Sequence, residues 1–265
     1  MKDLVSMIAK AQSSGMDVLL VPSVTINANA LAYLNENSLS EPWDRQFSGE
    51  YQRLLEYVAD LAAFTNVSAV ILRPALSIPE GFQNADQLSY LSQQNIPSDF
   101  QIIKDRYDGA VLQQINLEDT NYEPSTFNMF DQIIVEISLD LGENITDQAA
   151  FTTSFIEMIN SRLDEIHAQA QKPLIVRLSY PSVSGANRGC IQIEDQCFSF
   201  NFVNQPEYNS HNVAAIDLNL QSQIYQAALT AINETCWING ILSDGFNLQL
   251  ALQDVSSSVR GKPAM

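Results

Sequence analysis

The chain has 265 residues, of which 46% are hydrophobic, and this is enough to fill a sizeable core. Thirty-one acidic residues stand against thirteen basic ones, and the resulting net charge of −18 repels nucleic acid and anionic membrane surfaces. Apolar runs stay shorter than the ~18 residues that a membrane-spanning helix needs. Composition therefore excludes polynucleotides and lipid bilayers as expected partners.

The N-terminal half alternates helical stripes with apolar runs of strand length. Leu4, Val5, Ile8 and Ala11 share one face of a helix that ends at Gly15, and DVLLVPSVTI follows as a continuous strand. A polar loop containing Trp43 leads to an amphipathic helix whose apolar residues run from Tyr51 to Ala62. VSAVILR is the next strand and stops at Pro74, and GAVLQQI is the third.

The C-terminal half continues the alternation. QIIVEISL is rich in β-branched residues, and a helical stripe from Phe155 to Ala170 leads to the strand PLIVRLSY. Asp217 caps a helix that reaches Ile232, WINGILSDGF is the sixth strand, and a polar tail, SSSVRGKPAM, closes the chain. Six apolar strands alternating with helices predict a parallel α/β sheet. A doubly wound sheet and a (β/α) barrel both fit this pattern.

A long loop from Pro181 to Ile216 carries two of the three cysteines. Within it, residues 185–216 include GCIQIEDQCF, a short hairpin in which Cys190 and Cys197 come within disulfide reach. A bonded pair predicts an oxidising compartment, and we expect an extracellular or secreted protein. Two free thiols are the alternative, because free cysteine behaves as a small hydrophobe.

Four stretches carry a resemblance to a known family. YQRLLEYVADLAAFTNVSAVILRPALS, KPLIVRLSYPSVSGA, DLNLQSQIYQAALTAINETCWINGIL and SSSVRGKPA resemble, in order and spacing, TIM-barrel glycoside hydrolases of the β-mannanase type. The resemblance implies a single (β/α)8 TIM-barrel-like domain over residues 1–265. Its six strands would correspond to barrel strands three to eight, so we expect a barrel that is incomplete at the N-terminus, with a missing segment or neighbouring domain as partner.

The same resemblance identifies two positions where catalytic carboxylates should stand. Retaining glycoside hydrolysis uses two carboxyl groups about 5 Å apart, one as acid/base and one as nucleophile. The acid/base position falls at or beside Ala75, and the nucleophile position falls on Arg177. Alanine transfers no proton, and arginine stays protonated and cannot attack an anomeric carbon. The sequence therefore predicts that both catalytic positions are degenerate.

Other acids remain as replacements. Asp140 follows the fourth strand and Asp244 lies within the last one, so both would lie at the mouth of a barrel, where active sites are built. Glu80, Glu118 and Glu143 lie farther out, on loops. Solvated loop acids and a relocated pair of catalytic carboxylates are the two interpretations.

The arginines and aromatic residues near strand ends are the candidate ligand contacts. An inward-facing Arg177 needs a partner, for which Glu136, Asp140 and Asp244 are the candidates, and the alternative is a contact with ligand. Arg73 has the same two interpretations. Four aromatic residues lie near strand ends or loops, where rings stack on sugars, with core packing as the alternative: Trp43, Tyr180, Trp237 and Phe246.

No cofactor is expected. His167 on a helix and His211 in a loop are expected to be exposed to solvent and do not form a metal cluster. The sequence also lacks phosphate-binding and nucleophile-elbow motifs. We therefore predict a degenerate, catalytically inactive glycoside-hydrolase-like barrel that binds an oligo- or polysaccharide or serves as a structural module. The alternatives are an active β-mannanase-like glycosidase with relocated carboxylates, and a protein-interaction module that uses the 181–216 loop.

Overall fold

A computed structural model describes most of the chain. The described residues are 2–25, 41–73, 76–77, 96–118, 122–142, 145, 147–193, 196–198, 200, 215–243, 256–259 and 262–264. Among them, none of the helices combines the length and the apolar character that crossing a membrane requires.

Helices and strands alternate along the chain. The α-helices are α1 (Lys2–Ser13), α2 (Glu41–Thr65), α3 (Ile96–Lys104), α4 (Gln148–Met158), α5 (Asp164–Ala170) and α6 (Leu218–Asn233), with a 3-10 turn at Pro124–Met129 and a π-helical turn at Ile159–Leu163. The strands are β1 (Leu19–Leu20), β2 (Val24–Thr25), β3 (Ala69–Leu72), β4 (Leu76–Ser77), β5 (Ala110–Asn116), β6 (Gln132–Ile137), β7 (Leu174–Leu178), β8 (Ile191–Ile193), β9 (Gln196–Phe198) and β10 (Ile238–Ser243).

The main sheet contains six parallel strands in the order of the chain, β1-β3-β5-β6-β7-β10. Chain order with helical crossovers is the topology that the alternating pattern predicts. Two small additional sheets pair β2 with β4 and β8 with β9. The β8/β9 pair is antiparallel, so the predicted hairpin in the long loop is confirmed.

The chain divides into two compact units, and the division passes through β5 and β6. The first unit comprises residues 1–115 and 122–133. Its core holds the apolar face of α2, with Leu55 fully buried, and the centre of β3, where Val70 is fully buried. Phe100 on α3 meets Phe130 edge-on at 5.1 Å between ring centroids, and Tyr107 donates to the Val67 carbonyl.

The second unit comprises residues 116–121 and 134–265. Helix α4 packs against α6, whose N-cap is Asp217, as predicted, with its side chain accepting from the Leu220 amide at 2.9 Å. The stripe from Phe155 to Ala170 is buried along α4, the π-helical turn and α5. Helical periodicity alone therefore located the buried face, because 3.6 residues per turn places these side chains on one side.

The first predicted strand fails, and the described part of the polar tail is buried. DVLLVPSVTI forms two separate strands of two residues each, because Pro22 has no amide hydrogen for a ladder, and Leu19 and Val21 are exposed. The serines of the polar tail are packed inside the second unit, where Ser256, Ser257 and Ser258 are at most 1% exposed. Its hydroxyls and carbonyls are hydrogen-bonded, which is what permits polar burial.

Candidate functional site

Arg177 and Glu136 form an ion pair on neighbouring strands of the second unit. Along β7, Leu174, Val176 and Leu178 are fully buried whereas Arg177 is half-buried, so Arg177 lies on the opposite face of the strand. Its Nη1 is 3.6 Å from Glu136 Oε2, and the two side chains are 19% and 22% exposed. Among the three candidate acids, Glu136 is therefore a partner of Arg177.

The Glu136 carboxylate has a second fixed contact. Ser179, one residue beyond β7, donates its hydroxyl to Glu136 Oε1 at 2.7 Å. A short charge-assisted hydrogen bond on one oxygen and a guanidinium beside the other hold the carboxylate in one orientation. Ser179 was absent from the sequence prediction, although its position directly after β7 places it at the carboxyl end of the strand.

Glu118 brings a second carboxyl group to the same end of the sheet. The Leu117 amide donates to the Glu136 carbonyl at 2.9 Å, which places Glu118 beside the end of β6. Although Glu118 as a residue is exposed, protein atoms around its carboxyl group exclude water and raise its pKa; Arg162 opposes this shift and Glu136 adds to it. The sequence prediction placed Glu118 among the outer loop acids.

Arg162 reaches this cluster from the π-helical turn. Its guanidinium donates to the Leu117 carbonyl, and its charge acts on the Glu118 carboxyl group. A π-helical turn adds one residue to the helical repeat and so changes the direction of the side chains beyond it, and such turns are frequent at functional sites. Helical periodicity cannot reveal this turn, so the sequence prediction missed Arg162.

Asp140 organises a turn. Its Oδ1 accepts from the Gly142 amide at 2.7 Å, and its backbone forms an antiparallel bridge with Arg188 in the long loop. Gly189 has φ +73°, and an added Cβ would lie 2.7 Å from the Asp140 amide nitrogen, so only glycine fits there. The backbone of Asp140 thus connects the loop after β6 to the loop after β7, while its side chain stabilises the turn at Gly142.

Tyr180 belongs to the core. It is fully buried, its ring meets Phe155 edge-on at 6.3 Å, and its hydroxyl donates to the Leu139 carbonyl at 2.9 Å. Burial, with Glu118 and Asp140 among the neighbouring charges, raises its pKa. A ring enclosed in this way has no open face for a sugar, so the ligand interpretation of Tyr180 is wrong and the packing interpretation holds.

Trp237 lies at the other end of the sheet. It precedes β10, and its ring stacks on His167 with 4.7 Å between centroids and 5° between planes. His167 is half-buried, and its Nδ1 is 2.9 Å from the Lys172 carbonyl oxygen, so the expectation of an exposed histidine is wrong. Trp43 lies in helix α2, which corrects the loop prediction, and its side chain is outside the described part.

Arg73 belongs to a separate group in the first unit. It directly follows β3, is half-buried, and its charge acts on the Tyr51 hydroxyl. Asp99, in the first turn of α3, is 4% exposed, and burial raises its pKa to about 7. The Tyr51 hydroxyl is buried and has no hydrogen-bond partner among the described residues.

Several predicted positions have no structural outcome. Ala75, Asp244 and Phe246 lie outside the described residues, as does the side chain of Cys197. Cys190 is disulfide-bonded, and Cys236 is an exposed free thiol. The pairing of Cys190 with Cys197 stays a prediction.

The cluster of Glu136, Arg177, Ser179, Glu118 and Arg162 presents charged donors and acceptors at the carboxyl ends of β5, β6 and β7. Carboxylates accept from hydroxyls and guanidinium groups donate to them, so the cluster can bind a hydroxyl-rich ligand. Among the described residues, His, Cys, Asp and Glu side chains do not gather in a group of three or more that could hold a metal ion.

Comparison with known proteins identifies solved structures that share the fold of this chain. No family model and no curated protein matches the chain. A GH113 β-1,4-mannanase structure is 19% identical with a TM-score of 0.61, covering 99% of this chain and 75% of its own. The GH113 β-mannanase AaManA from Alicyclobacillus acidocaldarius, in complex with ManMIm, is 17% identical with a TM-score of 0.59, covering 99% and 74%. The chain therefore has the fold of TIM-barrel glycoside hydrolases of the mannanase type, with six of the barrel strands among its described residues.

Proposed function

We propose that this chain is a glycoside-hydrolase-like barrel that binds an oligo- or polysaccharide without hydrolysing it by the standard retaining mechanism. The observation that carries the proposal is the Arg177–Glu136 ion pair. It occupies the strand that the family resemblance assigns to the nucleophile. A guanidinium group cannot attack an anomeric carbon, and Ala75 supplies no proton at the other catalytic position.

The contacts around Glu136 support a role in ligand binding. Both carboxylate oxygens are engaged, one by the Ser179 hydroxyl and one by Arg177. These contacts orient the carboxylate and still leave each oxygen a further lone pair, so Glu136 can also accept from a ligand hydroxyl. The remaining acceptor and donor capacity of the cluster matches the hydroxyl groups of a sugar.

Manno-oligosaccharides are the first ligands to test, because the structural neighbours with TM-scores near 0.6 are mannanases. Gluco-oligosaccharides are the comparison ligand, since they differ from them only in the configuration at C2. Preference between the two would define which hydroxyl the cluster contacts.

We propose an extracellular location for the protein. The disulfide at Cys190 supports it, because structural disulfides persist in oxidising compartments. The net charge of −18 fits a secreted protein that must remain dispersed.

The test is titration calorimetry of the purified chain with mannohexaose and cellohexaose, together with an assay for released reducing ends. We expect binding without release, and we expect Arg177→Met and Glu136→Gln each to weaken binding about tenfold or more. Arg53→Met is the matched control, because Arg53 forms an exposed i,i+3 pair with Glu50. Reducing-end release that Glu136→Gln abolishes would overturn the proposal.

One observation favours a second function, an active glycosidase with relocated carboxylates. Glu118 has a raised pKa and lies near Glu136, and a pair of carboxyl groups whose environments differ is the usual arrangement of acid and base. If the purified chain releases reducing ends, Glu118→Gln should lower the rate by about 100-fold, the usual contribution of a general acid. Retention or inversion at the anomeric carbon would then report the separation of the two groups.

A further inference from the structure

The described residues of the C-terminal segment, 256–259 and 262–263, are built into the second unit next to the candidate site. Ser256, Ser257 and Ser258 are at most 1% exposed, and Lys262 is 7% exposed. The segment contacts two places: the turn after β7, through Ser179 and Ser182, and the first turns of α6, through Gln221 and Ser222. A polar segment is buried only when its donors and acceptors are matched, so its position is specified closely.

Lys262 is the charged residue within the described part of this segment. Its Nζ donates to Ser182 Oγ at 2.7 Å and to the Ser256 carbonyl at 2.8 Å. The same Ser256 carbonyl accepts from the Ser182 amide at 3.3 Å. The ammonium group thus connects the C-terminal segment to the turn after β7 with two short charge-assisted hydrogen bonds, which are stronger than neutral ones.

The connection continues to the ion pair. Ser257 Oγ donates to the Ser179 carbonyl at 3.4 Å, and Ser179 Oγ donates to Glu136 Oε1 at 2.7 Å. Gln221 donates to the carbonyls of Tyr180 and Ser257. Tyr180, which follows Ser179 in the turn, is therefore also held in place. Each residue from Ser179 to Ser182 except Pro181 is therefore held by the segment or by α6.

We propose that Lys262 is a positioning residue of the candidate site. It holds the turn at 179–182 so that the Ser179 hydroxyl orients the Glu136 carboxylate beside Arg177. Removing the ammonium group releases the turn, and the carboxylate loses its fixed orientation toward ligand. The ligand-binding consequence rests on the proposed glycan-binding function, whereas the effect on the turn does not.

Amide hydrogen exchange tests the effect on the turn without a ligand. In Lys262→Met, we expect the amides of Ser182 and Asp217 to exchange at least tenfold faster, because the first bonds to Ser256 and the second to the Ser182 carbonyl. Amides of α4 should keep their wild-type rates. Lys262→Gln retains a donor and should show a smaller increase.

Lys104→Met is the matched control, since Lys104 Nζ also donates to a backbone carbonyl, that of Gly109, but in the first unit. Ser257→Ala removes only the hydroxyl that contacts Ser179. It is the substitute test of the connection between the segment and the turn if Lys262→Met does not fold. Unchanged exchange at Ser182 and Asp217, or an equal increase throughout the second unit, overturns the positioning role.

A double-mutant cycle measured by ligand binding tests the coupling between Lys262 and Glu136. With mannohexaose, Lys262→Met should weaken binding about fivefold in the wild-type background and have no effect when Glu136→Gln is already present. Equal effects in the two backgrounds overturn the link. If the wild-type chain binds no oligosaccharide, the proposed function fails, while hydrogen exchange still decides the role of Lys262.

Discussion

The two units bury carboxyl groups in different ways. In the first unit, Asp99 is 4% exposed, and burial raises its pKa to about 7, so the neutral acid is favoured. In the second unit, Glu136 is half-buried and is held between Arg177 and Ser179. Asp99 avoids a buried charge by binding a proton, whereas Glu136 retains its charge because Arg177 pairs with it.

The buried tyrosines of the two units also differ in whether their hydroxyl groups are hydrogen-bonded. The Tyr51 hydroxyl has no hydrogen-bond partner among the described residues, whereas the Tyr180 hydroxyl donates to the Leu139 carbonyl. Polar groups are thus matched around the candidate site of the second unit. Around Asp99 the described contacts are less complete, and pH should affect the first unit more than the second.

The largest expected effect is the pH dependence that Asp99 contributes. Its pKa is raised on folding from 3.8 to about 7, so its contribution to stability is complete below pH 4, is lost as the pH rises from 4 to 7, and changes little above that. The total loss is on the order of 4 kcal/mol. Urea denaturation between pH 4 and pH 8 would measure it. The charges of Asp99 and Arg73 both act on the Tyr51 hydroxyl, so these three groups lie close together.

Asp99→Asn should remove this component and be more stable than the wild type at pH 8. The exposed Asp105, which follows the same helix, provides the control Asp105→Asn. An identical pH dependence in wild type and Asp99→Asn would show that Asp99 ionises freely in the folded protein.

The next effect concerns the pair in the second unit. Arg177→Met leaves the half-buried Glu136 carboxylate without its guanidinium, and we expect a loss of about 2 kcal/mol in the free energy of unfolding. The double variant Arg177→Met/Glu136→Gln should recover most of that loss, because no charge remains to be compensated. Denaturant midpoints at pH 7 would measure both. A double variant less stable than Arg177→Met would contradict the pairing argument.

The smallest effect compares the two tyrosines. Tyr180→Phe removes a made hydrogen bond and should cost about 1 kcal/mol, whereas Tyr51→Phe removes a hydroxyl with no described partner and should be neutral or stabilising by up to ~1 kcal/mol. Thermal unfolding of the two variants under identical conditions measures the difference. Equal losses at both positions would show that the Tyr51 hydroxyl has an acceptor.

Much of the fold could be predicted because apolar periodicity reports which face of an element is buried. The strands at Ala69–Leu72, Leu174–Leu178 and Ile238–Ser243 and the helix capped by Asp217 lie where the pattern predicts them. The first predicted strand failed because hydrophobicity says nothing about hydrogen-bond partners, and Pro22 interrupts the ladder there.

The candidate site was predicted less completely. Sequence located Arg177 on a strand and named three acids that could face it, but the choice of Glu136 depends on which residue of β6 shares a face with Arg177. Glu118 and Arg162 were missed as site residues because a strand end and a π-helical turn bring them together from distant parts of the chain. The contact of Ser179 with Glu136 likewise spans two strands.

The sequence by itself determined the alternation of strands and helices, the acidic surface, and an arginine where the resembled enzymes would carry a nucleophile, because these properties depend on residue type and local spacing. Only the tertiary structure decided that Arg177 pairs with Glu136, that Tyr180 is enclosed in the core, and that the polar C-terminal segment is buried through Lys262 and its serines. Those outcomes depend on long-range pairing of hydrogen-bond donors and acceptors, which a one-dimensional pattern does not contain.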